Sequence, residues 1–174
     1  MSIQSARNYA EMLIEHLGIN DTPVDLDVVA RHFNLQIIFI SLDDDVSGLL
    51  ITKPDRSCIA VREQDHKARQ RFTMAHEIGH YCLRHQFEPG QHVHVDRGYA
   101  ISQRNTRSST GTDQKEIEAN QFAARLLMPT KLLQKSIREL NADHLYDIHV
   151  TKLAIKFGVS EQAMTIRLSG MGFL

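Results

Sequence analysis

The sequence has no tryptophan, only two cysteines and four prolines, and no long apolar run. Two cysteines, Cys58 and Cys82, give no disulfide framework, so we expect reduced thiols. Apolar stretches such as 35–40 are far shorter than the roughly 20 residues that a membrane helix needs. The N-terminal stretch is interrupted by charged side chains and lacks the apolar core of a secretion signal. We therefore expect a cytoplasmic location and no membrane partner.

Neither positive nor negative charge is in marked excess, because the chain has 20 basic and 21 acidic residues and a formal net charge of -1. No global field would therefore draw the chain onto DNA or onto an anionic membrane. The chain does have 174 residues, of which 42% are hydrophobic, and these allow a substantial core. We predict one domain over residues 1–174, with a catalytic core at about 45–130 and a C-terminal helical part at about 131–174.

Local patterns along the chain predict an α+β fold. Helical spacing of apolar residues predicts two N-terminal helices, over 3–17 and 26–33. Three β-rich runs separated by turn-forming clusters follow, at 35–40, 46–52 and 57–61. We expect them to form a small three-stranded sheet, antiparallel or mixed, that packs on a helical core. After a long polar loop over 86–114 the chain is helical to its end, with breaks at Pro129 and before Ser160, which predicts a C-terminal helical bundle.

The stretch RFTMAHEIGHYCLRH, residues 71–85, contains two histidines four residues apart, His76 and His80, with Glu77 between them. We predict a helix here, from about residue 65 to 85. Side chains four apart on a helix stand one turn above each other, about 5–6 Å between Cβ atoms, so two imidazoles can bind one ion. A catalytic zinc site usually has three protein ligands and an open position for water. Glu77 is placed to act on that water as a general base.

A third ligand is expected from the stretch EIEANQFAARLLMP, residues 116–129. Its apolar stripe would pack on the helix of the two histidines, and Gly79 in that helix predicts a close approach of another backbone. Glu118 flanks the stripe and is the favoured ligand. Glu116 competes with it, but its place three residues after Asp113 predicts a local role in a helix N-cap.

The HExxH stretch, the later EIEANQFAARLLMP and a C-terminal LAIKFGVSEQAMTIRL together resemble the ImmA/IrrE metallopeptidases over most of the chain. The resemblance implies a zinc-dependent endopeptidase with a minimal thermolysin-like core. In such an enzyme His76, His80 and Glu118 would bind the metal, and Glu77 would be the catalytic acid and base. The implied substrate is a helix-turn-helix repressor or antitoxin, whose cleavage switches genes on. Mn²⁺ or another divalent ion could replace Zn²⁺.

This sequence departs from the family pattern near the second histidine ligand. The family often has a histidine four residues after that ligand, whereas Arg84 stands at this position here and His85 follows it. Any role of that family histidine is therefore open. The candidates for a second donor to the oxyanion of the reaction are Tyr81, His85, Tyr99 and Arg104.

Other histidines and acidic residues receive structural interpretations. His92 and His94 would share one face of a strand, which we interpret as an exposed edge strand rather than as a metal site. Such a strand could align an extended substrate by backbone hydrogen bonds. Two polar clusters are interpreted as solvated, residues 43–45 and the group of Asp143, His144, Asp147 and His149.

An alternative function also stays open on the sequence. A catalytically weak or inactive relative could regulate by binding a partner protein, or DNA through the helix-turn-helix-like segment 153–168. Its second helix, the proposed recognition helix, offers only Arg167 and Gln162 against Glu161, which is little for phosphate binding. We therefore do not expect direct DNA binding.

Overall fold

The computed structural model describes residues 2–53, 56–85, 93–96, 110–142 and 144–174, with residues 110–113 described by their backbone alone. Seven helices and four strands lie in these ranges, so the predicted α+β class is confirmed. Among the helices described, none combines the length and the apolar character that a membrane span requires. The predicted division into a catalytic core and a C-terminal helical part stays a prediction.

Two N-terminal helices, α1 (Ile3–His16) and α2 (Leu26–His32), form close to where the apolar spacing predicts them. Each begins at a residue whose side chain accepts a backbone N–H of the first turn, Ser2 for α1 and Asp25 for α2. These bonds satisfy donors that the helix itself leaves unpaired. Helix α1 then packs along a later helix, Thr110–Leu127.

The sheet is mixed and contains one strand more than predicted. Its strands are β1 (Leu35–Ile40), β2 (Gly48–Ile51), β3 (Ser57–Arg62) and β4 (Val93–Asp96), in the order β1-β3-β2-β4. Strand β1 pairs with β3 in parallel, whereas β2 pairs antiparallel with both β3 and β4. Among the described strands, the alternating stretch around His94 thus lies at an edge of the sheet, as interpreted from the sequence. Residues 99–101, a possible strand partner, lie outside the described residues.

Helix α3 (Lys67–Cys82) carries the HExxH motif and lies against the sheet. It is somewhat shorter than the predicted 65–85. The approach of β2 to this helix depends on Gly48, because a Cβ at that position would collide with Cγ2 of Thr73 and would reach Cγ of Glu77 at 3.9 Å. The missing side chain therefore lets β2 pass directly beside the turn that carries Glu77.

Helix α4 (Thr110–Leu127) makes the most extensive helix contact of the fold, with α3. A Cβ on Gly79 would lie 3.0 Å from Cδ1 of Phe122 and 3.3 Å from the carbonyl oxygen of Ala119. The close backbone approach predicted from Gly79 is thus confirmed. The predicted N-cap at Asp113 is wrong, because α4 begins at Thr110 and Glu116 lies inside the helix.

The C-terminal helices are α5 (Thr130–Glu139), α6 (Asp147–Phe157) and α7 (Glu161–Ser169). Ser160 caps α7 by accepting from the backbone N–H of Ala163, as predicted. Arg71 of α3 ties the α6–α7 turn to the rest of the chain, because its Nε donates to the carbonyl of Gly158 and its Nη2 to that of Val24. The helical C-terminal part is therefore anchored directly to the helix of the HExxH motif.

Candidate metal centre

Two imidazoles meet on the buried face of α3. His76 and His80 are 3% and 1% exposed, and their Nε2 atoms lie 2.9 Å apart. They stand one helical turn above each other, as residues four apart must. Helix α3 therefore presents two nitrogen donors at one point, as the spacing of the motif predicts.

A carboxylate from α4 completes this group, and it belongs to Glu116. Its Oε2 lies 3.2 Å from Nε2 of His76, and its Oε1 lies 3.4 Å from Nε2 of His80. Within the described ranges, His76, His80 and Glu116 form a group of possible ligands whose donor atoms all lie within 4.8 Å of one another. The packing of α4 on α3 at Gly79 brings the three side chains together.

Glu118, the ligand favoured from the sequence, lies elsewhere and requires a correction. Its Oε2 is 3.2 Å from Nε2 of His85, and its Oε1 accepts a hydrogen bond from Nε2 of Gln114. Residues two apart on a helix point about 200° away from each other, so Glu116 and Glu118 leave α4 on different sides. The structure thus places Glu116, rather than Glu118, against both imidazoles.

A sequence signal for Glu116 did exist. It stands three residues before Ala119 and seven before Ala123, so it extends the same apolar stripe by which α4 packs on α3. Asn120 follows four residues after Glu116 on that face, and its Oδ1 lies 2.9 Å from Nδ1 of His76. The mistaken helix start at Asp113 hid this signal, because it gave Glu116 a role at a helix end.

The donor set fits a divalent ion. Ligand atoms around a tetrahedral ion with bonds of about 2.0–2.2 Å lie roughly 3.4 Å apart, close to the 3.2 Å and 3.4 Å that separate Glu116 from the imidazoles. Burial lowers the pKa of His80 to about 3, against a smaller opposing effect of Glu116, so this imidazole is neutral with a nitrogen lone pair available. Two imidazoles and one carboxylate are a ligand set that zinc accepts.

Glu77 lies next to these donors and is fully buried. Its Oε2 is 3.1 Å from Nδ1 of His94, whereas its Oε1 is buried with no hydrogen-bond partner among the described residues. Burial raises the pKa of Glu77, although His94 and His76 oppose the effect. A buried carboxylate oxygen without a partner, beside a set of metal ligands, is suited to receive a water molecule.

His94 of β4 closes the other side of the group. Its Nε2 lies 3.3 Å from Oε1 of Glu116, and its ring centroid is 4.2 Å from that of His80. The position follows from the sheet register, in which His94 faces Leu50 of β2. Burial alone lowers the pKa of His94, but hydrogen bonds to Glu116 and Glu77 outweigh it and raise the pKa to about 10. The sequence interpretation found the strand and missed this contact with the site.

Other residues singled out in the sequence have different surroundings, and of these His85 contacts a ligand of the group. Tyr81 packs its ring against Phe33, and Nδ1 of His85 lies 3.0 Å from Nδ1 of His80. Nδ1 of His149 accepts from the backbone N–H of Tyr146, and Asp44 pairs with Arg62. Four more of them lie outside the described ranges, namely His92, Tyr99, Arg104 and Asp143.

Comparisons with known proteins give a family match and a similar fold. The family model of the IrrE N-terminal-like domain, a peptidase family, matches residues 30–169. A solved structure of a Mycobacterium tuberculosis transcriptional regulator is similar in fold, with a TM-score of 0.65 and 18% sequence identity, over 97% of this chain and 48% of that chain. This chain thus spans about half the length of that regulator. The comparison with curated proteins gave no match.

Proposed function

The chain belongs to the peptidase family of the IrrE N-terminal-like domain, and we propose that it is a zinc-dependent endopeptidase. The observation that carries the proposal is the position of Glu77. Its buried Oε1, which has no hydrogen-bond partner among the described residues, belongs to the turn of α3 that also carries His76 and His80. A general base beside a set of three metal ligands is the arrangement that metal-assisted hydrolysis needs.

We assign the three ligands to His76, His80 and Glu116. The Nε2 atoms of both histidines and the carboxylate of Glu116 converge, while Nδ1 of His76 is held by Asn120. When bound, Zn²⁺ would lower the pKa of a water toward about 7 and polarise the scissile carbonyl. Mn²⁺ is the alternative ion, because the carboxylate and imidazole donors also suit it.

Glu77 would transfer the proton in this reaction. Its carboxylate would take the proton of the attacking water and deliver it to the departing amine. The direction of its pKa shift favours the task, because burial raises the pKa of Glu77 toward the range in which a carboxyl both accepts and returns a proton. No other described carboxylate is both fully buried and adjacent to the histidine pair.

His94 and β4 would position the substrate. His94 reaches both Glu77 and Glu116, so its imidazole borders the place where the carbonyl would be attacked and could donate to the developing oxyanion. Strand β4 is the last strand in the order of the described sheet. An extended substrate could therefore add to its outer edge by backbone hydrogen bonds.

We further propose that the substrate is a helix-turn-helix repressor or antitoxin. Family membership supports this choice, because the ImmA/IrrE peptidases that the sequence resembles are known for cutting such repressors. The similar fold of a transcriptional regulator fits a role in gene control. Cleavage of a repressor by this chain would switch on the genes that the repressor silences.

The alternative function, regulation by DNA binding, has less support. Arg167, the one basic residue offered by the supposed recognition helix, is 6% exposed. Its guanidinium donates to the carbonyl of Met128 and to Oγ1 of Thr130, so it is occupied inside the protein. Contact with DNA phosphates requires exposed basic side chains. Regulation by binding a partner protein without cleavage stays the competing proposal.

The test is a cleavage assay with a helix-turn-helix repressor, sought first among the proteins encoded next to this gene. The purified chain, loaded with Zn²⁺ or Mn²⁺, should cut that protein into discrete fragments visible by electrophoresis and mass spectrometry. Glu77→Gln should abolish cleavage while the protein still binds metal, because glutamine cannot carry the proton. Glu63→Gln is a matched control, because Glu63 is exposed on the loop before α3.

The same assay separates the proposal from its competitor. If Glu77→Gln cut the repressor as fast as the unmodified chain, Glu77 would not be the base. If no fragments formed while both forms relieved repression equally in cells, the chain would act by binding alone.

A further inference from the structure

A chain of buried hydrogen bonds leads away from the proposed metal site on the far side of His80. Nδ1 of His80 lies 3.0 Å from Nδ1 of His85, and Nε2 of His85 lies 3.2 Å from Oε2 of Glu118. Gln114 donates to the other oxygen of Glu118 at 3.0 Å. The side chains of His80, His85 and Glu118 are 0%, 5% and 2% exposed. Water therefore has little access to these contacts.

We propose that His85 and Glu118 are positioning residues, which hold His80 in the tautomer and orientation that bind the metal. The inference rests on the proposed metal site. It gives a function to Glu118, which the sequence favoured as a ligand. It also gives a function to His85, which stands one position after the place where the family often has a histidine.

The positions of the protons on the two imidazoles depend on one another. His80 can bind an ion through Nε2 only when its own proton is on Nδ1, where it must be donated to an acceptor. Nδ1 of His85 lies 3.0 Å from that N–H group. To accept its hydrogen bond, Nδ1 of His85 must be unprotonated, so the proton of His85 is on Nε2. That N–H meets the carboxylate of Glu118, which only accepts.

The opposite arrangement is unfavourable. If Nδ1 of His85 carried a proton, two N–H groups would face each other across 3.0 Å. The Nε2 of His85 would then present a lone pair to a carboxylate. Glu118 thus selects the tautomer of His85, and His85 selects that of His80. Ligating histidines are commonly held in this way by a hydrogen bond at their second nitrogen.

The two ligating histidines are supported in different ways. Nδ1 of His76 meets the amide oxygen of Asn120 directly, whereas Nδ1 of His80 is linked through His85 to the carboxylate of Glu118. Helix α4 supplies both carboxylates of the system, Glu116 to the metal and Glu118 to the chain of hydrogen bonds. A shift of α4 would therefore disturb both at once.

The experiment measures metal affinity rather than cleavage. His85→Phe keeps a ring of similar size and removes the acceptor, so the affinity for Co²⁺ and Zn²⁺ should fall about 10- to 100-fold. His85→Gln keeps an acceptor oxygen and a donor nitrogen, and it should recover most of that loss. The affinity is obtained by competition with a chromophoric chelator, and His144→Gln is the control because His144 is exposed.

The visible spectrum of bound Co²⁺ distinguishes a positioning role from a ligand role. With Glu118→Leu the band intensity should stay that of the unmodified protein, because the three ligands remain. If Glu118 were a ligand, its loss would change the coordination number and the spectrum, as loss of Glu116 should. Glu118→Gln retains an acceptor oxygen and should bind metal more tightly than Glu118→Leu.

The outcomes separate this inference from the proposed function. If the unmodified chain bound neither ion, the metal site itself would be refuted. If it bound metal but His85→Phe bound equally well, or His85→Gln were no better than His85→Phe, the positioning role would be refuted and the metal site would stand. Should His85→Phe fail to fold, Glu118→Gln and Glu118→Leu decide, and equal affinities for these two variants would overturn the inference.

Discussion

The Nδ1 atom of His94 lies 3.1 Å from the Oε2 atom of Glu77. This contact joins the edge strand of the sheet to the helix of the HExxH motif, between residues 17 positions apart in the chain. On its other side the same imidazole meets Glu116 of α4. The candidate site is therefore built from three elements, and its histidine from the strand is placed between two carboxylates.

Replacing His94 by phenylalanine should impair cleavage more than metal binding. Phenylalanine removes both ring nitrogens of the imidazole that we propose borders the reacting carbonyl, and loss of one oxyanion donor costs about 100- to 1,000-fold in kcat. Cleavage of the identified substrate and chelator competition for Zn²⁺ measure the two effects. His144→Gln is again the control. An affinity loss as large as that caused by removing Glu116 would instead identify His94 as a metal ligand.

The metal-free protein should lose stability as the pH rises from about 7 to 10, and His94 should account for part of the loss. An unfolded histidine has a pKa of about 6.5, whereas that of His94 is raised to about 10. The stabilisation is therefore complete below about pH 6.5 and disappears as the pH rises through about 10. Thermal unfolding across this range should show a shallower decline for His94→Gln, and parallel curves would contradict the raised pKa.

The sequence predicted the parts of the site that one helix determines. The spacing of His76, Glu77 and His80 fixes their relation as soon as the segment is helical, and no long-range information is needed. The choice between Glu116 and Glu118 required the start of α4, and helix ends are the least certain part of such a prediction. A shift of about one helical turn in that start gave Glu116 a local role and left Glu118 as the ligand.

The contribution of His94 could not be predicted either, but the reason is different. Its strand was recognised by alternation, but the position of that strand in the sheet depends on its register with β2, where His94 faces Leu50. Register is set by pairing between segments distant in sequence. The parallel pairing of β1 with β3 is likewise a long-range feature, whereas the boundaries of β1 were predicted from its β-rich composition alone.

Replacing Glu116 by leucine should remove a metal ligand. We expect the affinity for Zn²⁺ to fall by more than the roughly 10- to 100-fold that loss of a supporting hydrogen bond costs. Chelator competition measures the change, with Glu63→Gln as the exposed control. Equal affinities of Glu116→Leu and the unmodified chain would show that the carboxylate meets the imidazoles only when no ion is bound.

Replacing Gly79 by alanine tests how the site is assembled. In a helix interior alanine is favoured over glycine by about 1 kcal/mol, so the change would stabilise an unconstrained helix. Here the new Cβ would lie 3.0 Å from Cδ1 of Phe122 and 3.3 Å from the carbonyl oxygen of Ala119. Overpacking of this kind costs about 1–3 kcal/mol. We therefore expect a net loss in the free energy of unfolding, measured with urea on the metal-free protein.

The same variant should also bind metal more weakly, because pushing α4 away from α3 separates Glu116 from the two imidazoles. Gly170→Ala is the matched control, since the nearest atoms to its Cβ are carbonyl oxygens of the preceding helical turn, at 3.3 Å and 3.6 Å. It should leave metal affinity unchanged. If Gly79→Ala were more stable and bound Zn²⁺ as tightly as the unmodified chain, the close packing of α3 on α4 would not be what brings the third ligand to the histidines.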